Sequence, residues 1–428
     1  MDGRVHIAGI GGVGMSALAQ ALLDRGVPVS GSDRLLDAGD CTKTLAVLRG
    51  QGVALFPQDG SGIDSHTRRL VVSSAVEDDN PDVLKARSLN IPVVHRALEL
   101  ASLLSGKKLC AVSGTCGKST VTAMLGHLLA ELGADPVVVN GAGVAGWDAD
   151  GTRIASVRSG EGQWAVAEVD ESDKSLMVFD PYAVIVTNAS ADHFGADEAN
   201  RLFDAFRAKA DGPVVDGRGG DDYDLTSGRF VFEGVEFTVP VPGVHNAQNA
   251  LMAVRMAKAI GFETKSLAKA LAGFKGVERR LQLVGRRAGA KVYDDYAHNP
   301  EKLAAAWRTL QAEAPGGVIG VWRPHGYAPL RKMKDALAQM FARILRPCDR
   351  LLLLPVYDAG GTATRDVSSE DLLSALLAQG CVAASVTTMQ DAEVLMAGEA
   401  APGKVLAVFG ARDPDLPRLA ARLADGGH

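Results

Sequence analysis

Residues 113–120 read SGTCGKST, set between the apolar run KLCAV and the helix-forming stretch STVTAMLGHLLAELG. A glycine-bent loop joining a strand to a helix aims successive backbone N–H groups at one spot and so makes an anion nest. Lys118 in such a loop reaches the β- and γ-phosphates of a nucleoside triphosphate, and Ser119 offers its hydroxyl to Mg²⁺. The spacing departs from the common G-x-x-x-x-G-K-[ST] pattern: Val112 stands where the first glycine belongs, and the glycine is Gly114. ATP binding is expected, on a loop whose first bend is displaced.

Acids at neighbouring strand ends should hold the metal. AVAEVDESD closes an apolar strand with Glu168, Asp170, Glu171 and Asp173, and VTNASADHF puts Asp192 and His193 after another. In a parallel sheet the carboxyl ends of strands share one edge, so both clusters fall beside the phosphate loop. A further loop, GIGGVG at 9–14, carries Gly9, Gly11 and Gly14 between a strand and a helix, with Asp33 in the next strand end. Its glycines let backbone N–H groups at a helix start approach a diphosphate. NAD is one such ligand and a UDP-sugar another; by itself the loop also fits a structural turn.

These loops need strands and helices to place them. A chain of 428 residues is too long for one ordinary core, so two or three domains are expected. Abundant glycine (48 residues) and few aromatics (5 %) favour glycine-punctuated α/β layers over a sandwich. Strands RVHIAGI, VPVSGSD and LVVSSA alternate with helical stretches in a first segment, 1–107. KLCAVSG, QWAVAEVD and AVIVTNA build a second, 108–282, which also holds the short strands of RFVFEGVEFTVPVPG and the amphipathic helix HNAQNALMAVRMAKAIG. After an arginine-rich turn at 278–287, KVYDDY, GVIGVW, RLLLLPVY and KVLAVFG build a third, 283–428. Doubly wound, mostly parallel sheets follow from the alternation.

The bulk numbers exclude other classes. Net charge is −6 with both signs interspersed, so no basic stripe calls for nucleic acid. No apolar run reaches the roughly 18 residues of a membrane span. Five scattered cysteines form no zinc or disulfide pattern and suit reduced thiols. The chain opens directly into a strand without a basic-then-apolar leader, and a cytoplasmic protein is expected.

Taken in order, GIGGVGMSALA, SSAVEDDNP, SGTCGKST, AEVDESD, TNASADH, GVHNAQNA, GVERRL and DDYAHNP resemble the motif series of the Mur ligase family across most of the chain. The resemblance implies a Rossmann-like UDP-sugar domain, a central P-loop-type ATPase and a C-terminal Rossmann-like domain. It implies ATP-dependent amide formation: a sugar carboxylate takes the γ-phosphate to become an acyl phosphate, which an amine then displaces. By motif position, Gly114, Thr115, Cys116, Gly117, Lys118, Ser119 and Thr120 cradle the phosphates. Ser119 and Glu168 hold Mg²⁺, with His193 at a second ion. Asn246 and Asn249 read adenine, and Arg280 and Asp295 touch phosphates and ribose. His298 lies near the reacting groups. Gly11, Gly12, Val13, Gly14, Met15, Ser16, Asp33, Ser73 and Ser74 match the UDP-sugar motifs. The implied partners are a UDP-N-acetylmuramate-type acid and an amino acid or short peptide. The N-terminal half is most similar to family members that add L-alanine, while FKGVERRLQ and YDDYAHNP also resemble those that add a tripeptide.

Departures cluster in the amine pocket. Where the alanine-adding members carry carboxylate-gripping arginines, RPHGYAPLR has Gly326 and Pro329, keeps His325 and Tyr327, and offers Arg331 two positions late. Glycine and proline do not replace a bidentate guanidinium clamp, so Arg323 or Arg331 substitutes, or the amine differs. Gly195, Gly361, Arg412 and Cys116 are smaller departures. A non-catalytic nucleotide and UDP-sugar binder is the alternative of another class, and an NAD-dependent oxidoreductase a third that leaves SGTCGKST without purpose.

Overall fold

The structure is a computed structural model describing residues 3–37, 39, 42–148, 150–171, 173–189, 196–219, 225–358, 364–411 and 413–425. The chain forms two compact units, residues 1–240 with 244–277, and residues 241–243 with 278–428. Among the described residues the first unit holds two α/β sheets and a two-stranded hairpin, and the second holds one α/β sheet.

The first sheet contains β1 (Arg4–Ala8), β2 (Val29–Ser32), β3 (Ala54–Phe56), β4 (Thr67–Val72) and β5 (Val93–His95). All neighbours are parallel, in the order β3-β2-β1-β4-β5. The order reverses at β1, so the loop leaving its carboxyl end opens into the crevice where such sheets bind ligands. That loop is GIGGVG, and the helix Val13–Asp24 follows it.

The second sheet contains β6 (Lys108–Ser113), β7 (Val137–Val139), β8 (Val157–Arg158), β9 (Trp164–Glu168), β10 (Ala183–Val186) and β11 (Val214–Asp216). Its order is β11-β10-β6-β9-β7-β8, antiparallel only at β7–β8. β6 therefore lies between β10 and β9. Register pairs Glu168 with Val112 and Val186 with Ser113, which brings the acidic loop and Thr187–Asn188 to the two sides of SGTCGKST. The strands RFVF and VEFT form a separate antiparallel hairpin, β12 (Arg229–Phe232) and β13 (Val235–Thr238). Cys110, Ala111, Val112, Val166, Val184 and Ile185 are completely buried, as strands covered by helices on both faces must be.

The second unit contains β14 (Gln282–Arg287), β15 (Ala290–Asp295), β16 (Val318–Trp322), β17 (Arg350–Leu353), β18 (Ala383–Ser385) and β19 (Val405–Phe409), ordered β14-β15-β19-β16-β17-β18. Only β14–β15 is antiparallel. Residues 278–287 are thus a turn only as far as Leu281. From Gln282 they form an edge strand, because a hairpin turn at Ala288 and Gly289, both with positive φ, folds them back on β15. The helix Pro300–Glu313 starts where Asn299 accepts a hydrogen bond from the Lys302 N–H at 2.9 Å. The helix Tyr327–Ile344 admits Pro329 in its first turn, where a missing N–H leaves no intrahelical bond unmade.

Candidate active site

The displaced glycine of the phosphate loop has a steric cause. Gly114 leaves β6 with φ +128°, and a Cβ there would collide with the Thr187 hydroxyl and stand 2.9 Å from the Thr187 nitrogen. Gly117 is the helix cap, with φ +85°, and a Cβ there would be 2.5 Å from Asn249 Oδ1. Between them the backbone of Cys116 is clasped from β10's end. Its N–H donates to Asn188 Oδ1 at 2.9 Å, and its carbonyl accepts from Thr187 Oγ1 at 2.6 Å and Asn188 Nδ2 at 3.1 Å. The Thr115 hydroxyl donates to the same Asn188 oxygen at 2.6 Å. Ser119 and Thr120 open the helix Lys118–Glu131, whose cap position supplies no side chain, so its positive end is left for an anion. Thr187 and Asn188 were not singled out by the sequence reading, although TNAS directly follows an apolar strand.

Lys118 is nearly buried. Its Nζ lies 2.7 Å from the Gly114 carbonyl, 2.7 Å from Glu171 Oε2 and 3.8 Å from Asp170 Oδ1. Burial works against its charge, but Glu171, Glu168 and Asp170 outweigh that and hold the ammonium above the usual lysine range. Burial pushes the Glu171 carboxyl up, against the pull of Lys118. Glu168, at the end of β9, accepts from the Gly141 N–H at 2.9 Å through Oε2. Its carboxylate and the Ser119 hydroxyl are hard oxygen donors placed beside one loop, a set that fits Mg²⁺. Asp192 and His193 lie outside the described residues.

A cleft of about 360 Å³ in the first unit runs from the GIGGVG loop to the acidic loop that follows β9. Gly12, Val13, Gly14, Met15, Ser73 and Ser74 line one side together with His95 and Arg96; Asn140, Gly141, Glu168, Asp170 and Asp173 line the other. Arg96 lies over the helix start, where a Cβ at Gly14 would be 3.1 Å from Nη1. Gly11, Ser16 and Asp33 sit behind this surface. Asp33 is buried and accepts from the N–H groups of Gly11 at 2.8 Å and Leu35 at 3.0 Å, bracing the loop. The Ser16 hydroxyl donates to the Val13 carbonyl at 3.1 Å.

His95 and Arg96 belong to HRALEL, which the sequence reading passed over. His95 Nδ1 accepts from the Ala97 N–H at 3.3 Å, which leaves Nε2 3.3 Å from Asp173 Oδ2. Partial burial tends to raise the Asp173 carboxyl, yet Ser175, His95 and Ser74 together hold it below the usual range.

Asn246 and Asn249 are buried on the helix Val244–Ala259, and Asn249 Nδ2 donates to Asn246 Oδ1 at 3.3 Å. Asn249 Oδ1 lies against Gly117 of the phosphate loop.

In the second unit the carboxyl ends of β15, β19 and β16 gather the remaining expected residues. Arg279 and Leu281 are non-glycine residues with φ +56° and +45°, and Arg280 lies between them. Leu281's N–H donates to Asp295 Oδ2 at 2.7 Å, and Ala297's N–H to Oδ1 at 2.7 Å. Both Asp295 oxygens are therefore bonded to main chain, and burial raises its carboxyl. Arg279 Nε lies 3.2 Å from Asp294 Oδ2, Nη2 donates to the Gly410 carbonyl at 2.5 Å, and the guanidinium lies over the Tyr296 ring. Arg280 lies over the same ring at 5.3 Å. Burial raises Asp294 to about 6 despite Arg279.

His298 and His325 meet edge to face with centroids 5.0 Å apart. Burial lowers His298 to about 4, helped by Lys302, and its Nδ1 is 3.0 Å from the Tyr296 carbonyl. Tyr327 has the Arg365 guanidinium 5.9 Å from its ring centre. Arg331 binds Asp366 and the Thr364 carbonyl, and Arg323 pairs with Asp413 at 2.6 Å and donates to the Pro355 carbonyl at 3.0 Å. Both arginines that could replace the missing clamp are therefore committed to acids of their own unit. Gly195, Gly361 and Arg412 lie outside the described residues.

Two family descriptions match the chain: "Mur ligase family, catalytic domain" over residues 4–108 and "Mur ligase, glutamate ligase domain" over residues 279–412. Among curated proteins, the UDP-N-acetylmuramate–L-alanine ligase of Streptomyces griseus is 34 % identical, covering 99 % of this chain and 98 % of its own. That of Azorhizobium caulinodans is 34 % identical with 96 % and 95 % covered. Among solved structures, the UDP-N-acetylmuramate-alanine ligase of Thermotoga maritima superposes with TM-score 0.81 at 24 % identity, over 99 % of this chain and 98 % of its own. A murein peptide ligase of Psychrobacter arcticus gives 0.67 at 20 % identity, with 99 % of each chain covered.

Proposed function

The chain belongs to the Mur ligase family, and from that premise we propose that it is the ATP-dependent ligase joining L-alanine to the carboxylate of UDP-N-acetylmuramate, a step of peptidoglycan precursor synthesis. The observation that carries this reading is the cleft from the Gly12–Met15 helix start to Glu168 and Asp170 beside Lys118. A sugar diphosphate anchored at that helix start directs its carboxylate along the cleft towards the nucleotide loop.

The three segments take separate tasks. Residues 1–107 bind the UDP-sugar, 108–282 the ATP, and 283–428 the amine. Gly12, Val13, Gly14 and Met15 present helix N–H groups to the diphosphate, with Arg96 above them and Ser73 and Ser74 on the same side of the cleft. Gly114 to Thr120 wrap the triphosphate, Lys118 neutralises charge that grows on its γ-phosphate, and Asn246 and Asn249 hold the base. The sugar carboxylate attacks the γ-phosphorus, the bond to the β-phosphate oxygen breaks, and ADP leaves an acyl phosphate. The amine nitrogen then attacks the acyl carbon and phosphate departs. Ser119 and Glu168, and by motif position His193, would hold Mg²⁺, which would supply positive charge to offset the repulsion between the two anions. His298, kept neutral by burial, serves the amine side with His325, Tyr327 and Arg331, and Arg280 and Asp295 serve the nucleotide. Acyl phosphates survive only where water is excluded.

No described helix is long and apolar enough to cross a membrane, and soluble nucleotide substrates put the reaction in the cytoplasm. A second reading, a peptide as the amine, draws on the commitment of Arg323 to Asp413 and of Arg331 to Asp366. Phosphate release measured with UDP-N-acetylmuramate, ATP, Mg²⁺ and a panel of amino acids and peptides separates the two. L-alanine is expected to turn over fastest; fastest turnover with a tripeptide favours the second reading. Nucleotide binding without release for any amine sinks both in favour of a non-catalytic binder.

A further inference from the structure

Two of the three N–H bonds of Lys118 are used inside the protein, one on the Gly114 carbonyl and one on Glu171, each at 2.7 Å. The Glu171 side chain is 1 % exposed and that of Lys118 13 %, so the pair lies out of water. The carboxylate is served on one side only. Oε2 holds the ammonium, while Oε1 is buried with no hydrogen-bond partner among the described residues. A buried carboxylate kept for the fold alone is normally satisfied at both oxygens, as Asp349 is, by the Val318 N–H and the Gln311 amide. Glu171 also stands where it competes with any nucleotide phosphate for Lys118. A phosphate oxygen within hydrogen-bond reach of Nζ would crowd Oε2, and two like charges repel strongly away from water. Asp170 and Glu168 already add negative field at the same ammonium, so the lysine is held by acids and open to a stronger anion.

We propose that Glu171 gates the phosphate site: it occupies Lys118 in the empty protein, and a nucleotide's terminal phosphates bind by displacing it. This rests on Lys118 being the ATP lysine. Glu171 is a positioning residue, since it acts through Lys118. A lone phosphate or sulfate has few other contacts with which to oust the carboxylate, whereas a triphosphate held along the whole loop has many. The gate therefore favours the triphosphate over the abundant small anions that share its charge.

The test is calorimetric binding of a non-hydrolysable ATP analogue with Mg²⁺ to the full chain, without acid or amine. Wild type, Glu171→Gln, Glu171→Asp, Lys118→Ala and the Lys118→Ala/Glu171→Gln double variant are compared. Glu171→Gln is expected to bind roughly tenfold tighter, the scale of a charge-assisted bond against a neutral one. Glu171→Asp keeps its charge but is too short for the 2.7 Å contact, and its affinity is expected to fall between. In the Lys118→Ala background Glu171→Gln is expected to gain clearly less than in the wild-type background, because only repulsion and no competition for the lysine is then removed. Affinity equal to or weaker than wild type in both Glu171 variants overturns the gate, as does an equal gain with and without Lys118, which would mark plain repulsion. If Glu171→Gln fails to fold, Glu171→Asp decides by the same comparison. Lys118→Ala keeps the outcomes apart: unchanged affinity there refutes the ATP site itself, while lost affinity without a gain in the Glu171 variants refutes the gate alone.

Discussion

Gly114→Ala is the sharpest single test of the phosphate loop. The substitution puts an L side chain at φ +128° and drives its Cβ against the Thr187 hydroxyl, 2.9 Å from the Thr187 nitrogen and 3.0 Å from that of Asn188. Backbone in a glycine-only region costs about 1–3 kcal/mol, and forced overpacking about 1–3 kcal/mol more. The main-chain atoms at β10's end have little freedom to retreat, since the Thr187 N–H is bonded to the Ser113 carbonyl at 2.9 Å. A loss of roughly 3 kcal/mol follows, which lowers the melting temperature of a unit this size by about 6–12 °C. Gly117→Ala is the control. There the obstacle is the tip of the Asn249 side chain, which can withdraw at the expense of its 3.3 Å bond to Asn246, so roughly 1–2 kcal/mol is expected. Differential scanning fluorimetry gives both values, and calorimetric binding of an ATP analogue reports whether the loop still closes on phosphate. Gly114→Ala melting within about 2 °C of wild type, with nucleotide affinity intact, would refute the steric account.

Lys118→Ala is expected to abolish ATP-dependent phosphate release while leaving UDP-N-acetylmuramate affinity unchanged; equal loss of both contradicts the division between the first and second sheets. Arg279→Ala removes the clamp on Asp294, the Gly410 carbonyl and Tyr296, and kcat is expected to fall about 10- to 100-fold through misplacement of Arg280. Arg279→Lys, a point charge without the fork, should restore little of it; full rescue would reduce Arg279 to a simple charge. His6 is buried and neutral down to about 4, whereas an unfolded histidine takes up its proton near 6.5, so unfolding binds a proton between these values. The stability this contributes is present above pH 6.5 and is lost on acidification, by about 2 kcal/mol at pH 5. Urea titrations of wild type against His6→Gln should converge by that amount between pH 7 and 5; a constant difference removes His6 as the cause.

What was legible in the sequence was local. Apolar runs gave the central strands of all three sheets, and glycines between strand and helix gave both phosphate-type loops. The three-residue strands β3 and β5 were not legible, because Ala54–Phe56 and Val93–His95 are too short to show a period. Gln282–Arg287 was read as turn because its arginines mask an edge strand that is half solvated. Within the site, the choice among Glu168, Asp170, Glu171 and Asp173 depended on which carboxylate faces Lys118 across 53 residues of chain, and spacing along one loop does not decide that. Gly114 needed its neighbour Thr187 from the next strand before its displacement made sense. HRALEL was legible in hindsight, as a histidine and arginine at a helix start following a strand.

The clasp on Cys116 has a thermodynamic consequence. A loop that must order itself around its ligand loses backbone freedom at the moment of binding, about 1–2 kcal/mol for each residue fixed. Here the folding of β10 beside β6 has already set that loop's conformation, through four hydrogen bonds that join Thr115 and Cys116 to Thr187 and Asn188. Nucleotide binding then carries little ordering entropy, and its heat reports the phosphate contacts themselves. An anchored loop also recovers its shape after each ADP departs, so the enzyme meets the next ATP without refolding its own receptor.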